Sequence, residues 1–276
     1  MNGLTIFNHS ARQVTGNLGM AIRVSWWFIA IIMVAGILAF MLIPEDVLYA
    51  LNQTPEEIAD NLSISGGSAL LLILAAIAAA VFIFWAASLI AIVWHRYILL
   101  EEMPVGTIPY RKEFRIGRYF WYGVGVTLLT LIVGMVIGGI LLMILGPGAM
   151  RSLEANQLGG ELALGIIGAL ITGIIVTVFY LRMALILPAV ALEEGLTISK
   201  AWEASKGYSG AIAGAAVMLT ILNIVVGFIF EFLLTLGLPE LLVSLFDLAF
   251  NWFYFMLNIS ILSTLYGHIV QKREIY

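Results

Sequence analysis

Residues 69–94 read ALLLILAAIAAAVFIFWAASLIAIVW and contain no charged side chain. A helix crosses the hydrocarbon core of a bilayer with about 20 consecutive apolar residues. This stretch is longer than that, and it lacks the alternation of apolar and polar residues that a membrane β-strand requires. A helix satisfies its own backbone hydrogen bonds in lipid. The stretch therefore predicts a transmembrane helix.

Further apolar runs of similar length lie on both sides of this one. The complete set of predicted spans is approximately 24–43, 69–94, 120–145, 162–181, 211–236 and 241–267. Hydrophobic residues make up 62% of the chain and charged residues only 11%, whereas a soluble domain is about half apolar and a quarter charged. We therefore expect an all-α fold, a polytopic bundle of six transmembrane helices, in which residues 1–276 form a single integral membrane domain.

The positions of the basic residues predict the orientation of the bundle. Of the 13 Lys and Arg residues, all except Arg151 fall in the N-terminal segment, the second and fourth connections, and the C-terminal tail. Cytoplasmic loops of membrane proteins carry such an excess of positive charge. Both termini are therefore predicted to be cytoplasmic. The first outer loop is acidic, and the capping box at 54–57 predicts a short helix at about 55–62.

The two long cytoplasmic connections share a pattern of an arginine, an apolar stretch and an acidic pair. The pattern covers residues 96–102 and residues 182–194. It predicts helices that bend onto the membrane surface and lie there as interfacial segments. Thr197 is a suitable N-cap, and Gly207 suits the position after a last helical residue. A further short interfacial helix is therefore expected between them.

Small residues at four-residue spacing predict where the helices touch. They are Gly134 and Gly138 in the third span and Gly165, Ala169 and Gly173 in the fourth. Small side chains let membrane helices approach closely, so the third and fourth spans are expected to pack together. The short turn at 237–240 predicts that the last two spans form an antiparallel hairpin.

Two carboxylates fall inside the apolar runs. Glu231 lies in the fifth span and Asp247 in the sixth, and an antiparallel hairpin would place them at similar depth. A carboxylate near the bilayer centre costs about 2.5–3.5 kcal/mol on the insertion scale, so each needs an explanation. Polar residues accompany them at helical spacing, and the resulting candidate polar seam consists of Asn223, Glu231, Asp247, Asn251 and Tyr254.

Two interpretations of this polar seam remain open. In the first, the two acids share a proton or bind a cation, because two close carboxyl groups cannot both ionise at low cost. In the second, the polar side chains are hydrogen-bonding groups that hold the two helices of the hairpin together, and the two acids lie near enough to the outer surface to remain hydrated.

Residues 110–118 form a second candidate site. If this stretch is helical, Arg111, Arg115 and Arg118 lie on one face beside aromatic residues. Such a row of guanidinium groups could bind the phosphates of anionic lipids. The alternative is that these arginines only set the topology and anchor the chain at the interface.

The sequence gives no sign of a cofactor or a catalytic centre. His95 and His268 are expected at the cytoplasmic ends of the second and sixth spans, and a haem would require them to converge. No nucleotide-binding glycine loop and no hydrolase motif occurs, and a chain without cysteine has no thiolate metal ligand. We therefore expect no cofactor, no metal centre and no nucleic-acid partner.

Two segments carry a resemblance to known proteins. The run RMALILP at 182–188, followed by Glu194 and by AWEASKG at 201–207, resembles bacterial inner-membrane proteins of the YciC-like group and the membrane domain of some glycerophosphodiester phosphodiesterases. The run WHRYILLEE at 94–102 is similar to members of this kind as well. The resemblance implies a six-helix fold in a bacterial inner membrane. It transfers no catalytic residue, because the soluble phosphodiesterase domain is absent from this sequence.

These observations favour a non-enzymatic integral inner-membrane protein that acts as a scaffold, a lipid-associated factor or an accessory subunit. Its expected partners are membrane lipids, anionic lipids included, and other membrane proteins. The alternative is a small ion- or proton-coupled transporter that uses Glu231 and Asp247. A third interpretation, a membrane-embedded lipid enzyme, would depend on the acidic cluster Glu101, Glu102, Glu193 and Glu194.

Overall fold

The computed structural model describes residues 2–42, 66–106, 108–111, 113–154 and 158–274. Within them the α-helices are α1 (Gly3–Gly16), α2 (Leu18–Leu42), α3 (Gly66–Leu100), α4 (Ile116–Glu154), α5 (Leu158–Met183), α6 (Ile186–Ala191), α7 (Ile198–Ala204), α8 (Ser209–Thr235) and α9 (Glu240–Ile269). A 3₁₀ turn at Lys206–Tyr208 joins α7 to α8. The described part of the chain is helical and contains no strand.

Six segments of these helices are long and apolar enough to cross a membrane. They are Leu18–Ala35, Ile73–Leu100, Ile116–Ile144, Ile167–Ala191, Lys206–Thr235 and Leu241–Ile269. The predicted all-α bundle with six membrane-length helices is thus confirmed, and the architecture is that of a multi-pass membrane protein. The helix predicted at 55–62 lies outside the described residues.

Helix α1 was not predicted, because it is too short and too polar to register as an apolar run. The Asn2 side chain caps it by accepting a hydrogen bond from the Thr5 N–H (2.8 Å). Its buried residues are Gly3, Ile6, Ser10 and Val14, which form one stripe at helical spacing. This stripe packs against both α8 and α9, so that α1 is in contact with the fifth and sixth membrane-length helices.

The buried core lies at one end of the bundle, which we call the base. The base carries α1, the connection at 101–115 and the segment at 184–208. The largest fully buried side chains include Trp94, Leu181, Ile212 and Tyr266. Toward the opposite end, which we call the far end, every α3 residue from 73 to 83 is exposed, on all sides of the helix. Helix α3 is therefore packed at the base and exposed toward the far end.

The prediction that residues 182–194 lie on the membrane surface fails at α6, which is buried at the base. All six of its residues are buried, and it packs against α3, α4 and α9. Pro188 has no N–H to donate to the carbonyl of Ala184, so α5 ends at Met183 and the chain turns. The Ala184 carbonyl accepts from the Leu187 N–H instead (2.9 Å). The fourth span is therefore a broken helix.

The other connection does not bend at Arg96 as predicted. Helix α3 continues through that residue to Leu100, and Glu101 follows with a φ of 58°. The helix expected after Thr197 is present as α7, and the Thr197 hydroxyl accepts from the Lys200 N–H (3.3 Å). Helix α7 ends at Ala204, before the predicted Gly207.

The predicted contact between the third and fourth spans is present, since α4 and α5 form the most extensive helix pair. The glycines contribute unequally to it. A methyl group at Gly134 would lie 3.5 Å from Val176 of α5, whereas one at Gly173 would face Thr220 of α8. Near the far end α8 and α9 meet through Phe230 and Phe246, whose ring centroids are 5.2 Å apart.

Candidate functional site

His95 lies in a buried polar cluster with Tyr119 and Ser263, which we call the His95 cluster. Its Nδ1 is 2.8 Å from the Ser263 hydroxyl and its Nε2 is 3.1 Å from the Tyr119 hydroxyl. Ser263 donates its own proton to the carbonyl of Ile259 (3.0 Å). The consistent arrangement is therefore that Nδ1–H donates to Ser263 and that Tyr119 donates to Nε2.

His95 lies near the base end of α3, where its ring is completely buried and joins α3, α4 and α9. His268 has separate partners, namely the carbonyl of Arg273 (2.8 Å) and the ring of Tyr208 (centroids 5.4 Å apart). Nothing in the sequence around His95 signals its burial, because both hydroxyl partners come from other helices.

Next to this cluster lies a cavity of about 120 Å³ between α3, α4, α5, α6 and α9. The cavity is lined by Phe84, Ala87, Ser88, Ala91, Tyr119, Gly123, Thr127, Tyr180, Leu187, Phe255, Ile259 and Leu262. Its closed part is formed by buried residues such as Tyr119, Leu187 and Leu262, whereas Thr127 and Tyr180 are half-buried. The cavity is therefore closed toward the base and more open toward the far end.

Several hydroxyl groups line this cavity, and they differ in their hydrogen bonding. Ser88 donates to the Phe84 carbonyl (2.7 Å), and the Tyr119 hydroxyl belongs to the His95 cluster. Among the described residues, no hydrogen bond involves the side chain of Thr127 or Tyr180. Two hydroxyl groups of the cavity wall are thus free to bind a further molecule.

The structure brings together part of the candidate polar seam. The Asn251 amide donates to the Asp247 carboxylate (2.8 Å) and to the Asp247 carbonyl (2.9 Å), and both side chains are exposed. Asn251 precedes Phe255 by four residues, and Phe255 lines the cavity. Asn251 and Asp247 therefore lie about one and two helical turns beyond Phe255 on α9, displaced toward the far end. Tyr254 is half-buried.

The remaining seam residues lie apart from these. Glu231 and Asn223 are exposed on α8. Within the described chain, no hydrogen bond or ion pair joins Glu231 to Asp247, or Asn223 to Tyr254. The seam residues thus form one close pair on α9 and two separate positions on α8.

The three candidate lipid-binding arginines do not share one helix face. Helix α4 begins at Ile116, so that Arg111 and Arg115 precede it and only Arg118 is helical. Arg111 lies 3.4 Å from the Glu102 carboxylate, and Arg118 lies over the Tyr122 ring at 5.7 Å from its centroid. Arg115 and Arg118 are exposed.

Arg96 organises the base at the end of α3. Its guanidinium forms a two-pronged ion pair with Glu102 (2.7 and 2.8 Å) and donates to the carbonyl of Ala191 at the end of α6 (2.9 Å). The hydrogen bond from Arg96 lowers the pKa of the Glu102 carboxyl below its usual value. Glu194 has its own partners, the hydroxyl of Tyr266 and the Gln271 amide. Glu102 is thus bound by Arg96, whereas Glu194 is bound by Tyr266 and Gln271, so the two carboxylates have different partners.

Arg182 organises the fourth connection in a similar way. It donates to the Ser205 hydroxyl (3.0 Å) and the Trp202 carbonyl (3.1 Å), and its guanidinium lies 3.9 Å from the centre of the Trp202 ring. The motif residues 182 and 201–207 therefore form one structural unit that holds α7 against the end of α5.

The molecule so described has a packed base, a broken fourth span and a cavity between its membrane-length helices. These features define a multi-pass membrane protein with a polar interior site. Comparison with protein-family models, with curated proteins and with solved structures gave no match to this chain.

Proposed function

We propose that the protein is a non-enzymatic scaffold or accessory subunit of a bacterial inner membrane, and that it binds another membrane protein along the far halves of its helices. The observation that carries this proposal is the exposure of Glu231 and Asp247 on helices of membrane length. Glu231 lies about one turn from the far end of α8, and Asp247 about two turns from the far end of α9. A carboxylate that faces lipid is unfavourable, and its cost rises with depth to about 2.5–3.5 kcal/mol at mid-bilayer. A partner helix with hydrogen-bond donors removes that cost.

The difference between a packed base and an exposed far half of α3 supports the same proposal. At the base, α1, Arg96 and Arg182 tie the helices together. Toward the far end, every residue at 73–83 of α3 is exposed, although Phe82 contacts Phe28 of α2. Such a molecule offers a fixed platform from which several helix faces are free to pack against a partner.

Site-specific photo-crosslinking in native membranes tests this proposal. A crosslinker placed at Glu231 or Asp247 is expected to capture a discrete membrane protein, whereas one at Trp121, which is exposed near the base, is expected to capture lipid. The double variant Glu231→Leu with Asp247→Leu should lose the copurifying partner. Ser244→Leu is the matched control, because it adds an apolar side chain at another exposed position of α9. Retention of the partner by the double variant would contradict the proposal.

We propose further that the base faces the cytoplasm, with both termini on that side. The distribution of Lys and Arg supports this orientation. The chain has no cysteine, so single cysteines can be introduced without background labelling. A cysteine at Lys200 should be protected from an impermeant reagent in intact cells, and one at Gly237 should be labelled. The reverse pattern would overturn the orientation.

A small ion- or proton-coupled transporter is the second candidate function. It is favoured by the Asp247–Asn251 pair, which lies one to two helical turns beyond the cavity on α9, and by the break between α5 and α6 beside the cavity. Transporters commonly place their binding sites where membrane helices are interrupted. Proton flux into liposomes that Asp247→Asn removes and Ser244→Ala leaves intact would support transport. Absence of flux in the wild-type protein would eliminate this candidate and leave the scaffold.

Lipids are the remaining proposed partners. Arg115 and Arg118 are exposed at the base, where the headgroups of a cytoplasmic leaflet would lie, and anionic headgroups attract such side chains. Arg111 is already paired with Glu102, so we assign the lipid contact to the other two arginines.

A further inference from the structure

We infer that the cavity between α3, α4, α5, α6 and α9 binds the ring of a neutral, lipid-soluble compound that carries carbonyl groups, a compound of the quinone class. This inference goes beyond the proposed scaffold function and depends on different residues. It rests on the size of the cavity, its aromatic wall, its lack of charge, its two free hydroxyl groups and its opening toward the far end.

The cavity has the size of a single six-membered ring. Its volume is about 120 Å³, and an apolar cavity of roughly 150 Å³ in another protein holds benzene. Four aromatic side chains contribute to the wall, namely Phe84, Tyr119, Tyr180 and Phe255. Aromatic rings pack favourably against one another edge to face or offset, so this wall suits a planar ring.

The absence of charged side chains from the cavity wall favours a neutral ligand. No Asp, Glu, Lys, Arg or His residue lines the cavity. A charged group placed there would lose its hydration without gaining an opposite charge, which is strongly unfavourable. Anionic and cationic metabolites are therefore poor candidates for this site.

The free hydroxyl groups suit a ligand with hydrogen-bond acceptors. Tyr180 and Thr127 are half-buried and have no hydrogen-bond partner among the described residues, so both hydroxyl groups are accessible from the cavity. Tyr119 already directs its proton to His95, which fixes the orientation of its side chain. Tyr180 and Thr127 are thus the two available donors, and the carbonyl oxygens of a quinone ring accept such bonds.

The position of the opening requires that the ligand come from the bilayer. The half-buried residues Phe84, Thr127, Tyr180 and Phe255 lie around the more open side of the cavity, and buried residues close the side toward the base. Beyond the opening, the residues of the neighbouring stretch of α3 are exposed. A hydrophobic tail attached to the ring can therefore remain in lipid while the ring occupies the cavity.

Binding of a benzoquinone with a decyl tail to the full-length protein in lipid nanodiscs tests this inference. We expect saturable quenching of tryptophan fluorescence beyond that caused by partition into the nanodisc lipid. Tyr180→Phe should weaken binding by about tenfold, the effect of losing one hydrogen bond to a buried group. Tyr110→Phe is the matched control, because it removes an exposed phenol outside the cavity. Decylbenzene, which has the same tail and no carbonyl group, should not compete.

A second variant separates loss of binding from loss of folding. Ala87 lines the cavity and is half-buried, so Ala87→Leu fills the space without removing a hydroxyl group. We expect this variant to keep the wild-type thermal stability and to lose quinone binding. Equal binding of decylbenzene, wild-type affinity in Tyr180→Phe, or the absence of saturable binding would each overturn the inference. None of these outcomes affects the crosslinks expected at Glu231 and Asp247.

Discussion

Gly3 of α1 and Gly214 of α8 lie in direct backbone contact. A methyl group added at Gly214 would come within 2.9 Å of the Gly3 Cα atom, which is closer than side-chain carbons approach backbone in folded proteins. The pair lets the N-terminal helix sit against α8 without an intervening side chain, and it explains why α1 fits so tightly into the base.

Gly214→Ala is therefore expected to destabilise the protein by about 1–3 kcal/mol, the usual effect of overpacking a closed contact. Gly210→Ala is the matched control on the same helix, because nothing lies within 4 Å of the added methyl group there. Both substitutions replace a glycine of α8 by a residue of higher helix propensity. Thermal unfolding in detergent measures the difference, and equal stability of the two variants would contradict the contact.

The ion pair between Arg96 and Glu102 predicts a loss of stability in acid. The pKa of Glu102 is lowered in the folded protein, chiefly by the hydrogen bond from Arg96. The pair therefore stabilises the fold above the usual carboxyl pKa of about 4.5, and this stabilisation is lost as the pH falls through the lowered value. Glu102→Gln should flatten the dependence of the melting temperature on pH in that range. Glu101→Gln, which alters the neighbouring exposed carboxylate, should leave it unchanged.

The contact between Arg182 and Trp202 predicts that lysine cannot replace this arginine. The guanidinium stacks on the indole ring and donates two hydrogen bonds in different directions, whereas an ammonium group has no planar face. Arg182→Lys is expected to cost about 1–2 kcal/mol of unfolding free energy. Arg23→Lys, at an exposed position of α2, serves as the control. A neutral effect of Arg182→Lys in chemical denaturation would show that stacking adds nothing.

Replacement of His95 tests the buried polar cluster. His95→Phe keeps an aromatic ring but leaves the hydroxyl groups of Tyr119 and Ser263 without their shared partner. Loss of one partner of a buried hydrogen bond costs about 1–3 kcal/mol, so the melting temperature should fall clearly. His268→Phe, at a partly exposed position, should change it much less. Similar melting temperatures for both variants would indicate that the cluster contributes little.

The proposed lipid contact predicts that Arg115 and Arg118 contribute more to lipid binding than Arg111 does. Arg115→Ala with Arg118→Ala should reduce the number of anionic lipids retained in native mass spectrometry, because both side chains are exposed. Arg111→Ala should have a smaller effect, since Glu102 already engages that guanidinium. If the triple alanine variant retains as much anionic lipid as the wild type, none of the three residues is a lipid contact.

Hydropathy alone located the helices of membrane length, because the bilayer imposes the same requirement on every span. It could not locate α1. The buried stripe of this helix contains the small residues Gly3 and Ser10, which are buried only because α8 and α9 pack against them. Hydropathy also placed the residues of α6 at the surface. Their burial follows from the break at Pro188 together with the hydrogen bond that Arg96 makes to Ala191, a residue 95 positions away.

The candidate site was predicted less completely for the same reason. The pairing of Asp247 with Asn251 follows from spacing along one helix, and sequence identified both residues. The separation of Glu231 from them depends on how α8 and α9 cross. The cavity and the His95 cluster depend on side chains from several helices, and no local pattern encodes them.

The placement of α1 has a consequence for biosynthesis. Ser10 donates a hydrogen bond to Thr264, a residue 254 positions later in the chain (3.0 Å). Helix α1 packs against both α8 and α9, so it gains its contacts with α9 only after that later helix has been made and inserted. Closure of such distant contacts is slow compared with the formation of local helices. The base of this molecule is thus completed only once α9 is present, and a chain truncated before α9 would retain the contact of α1 with α8 while losing the Ser10–Thr264 hydrogen bond.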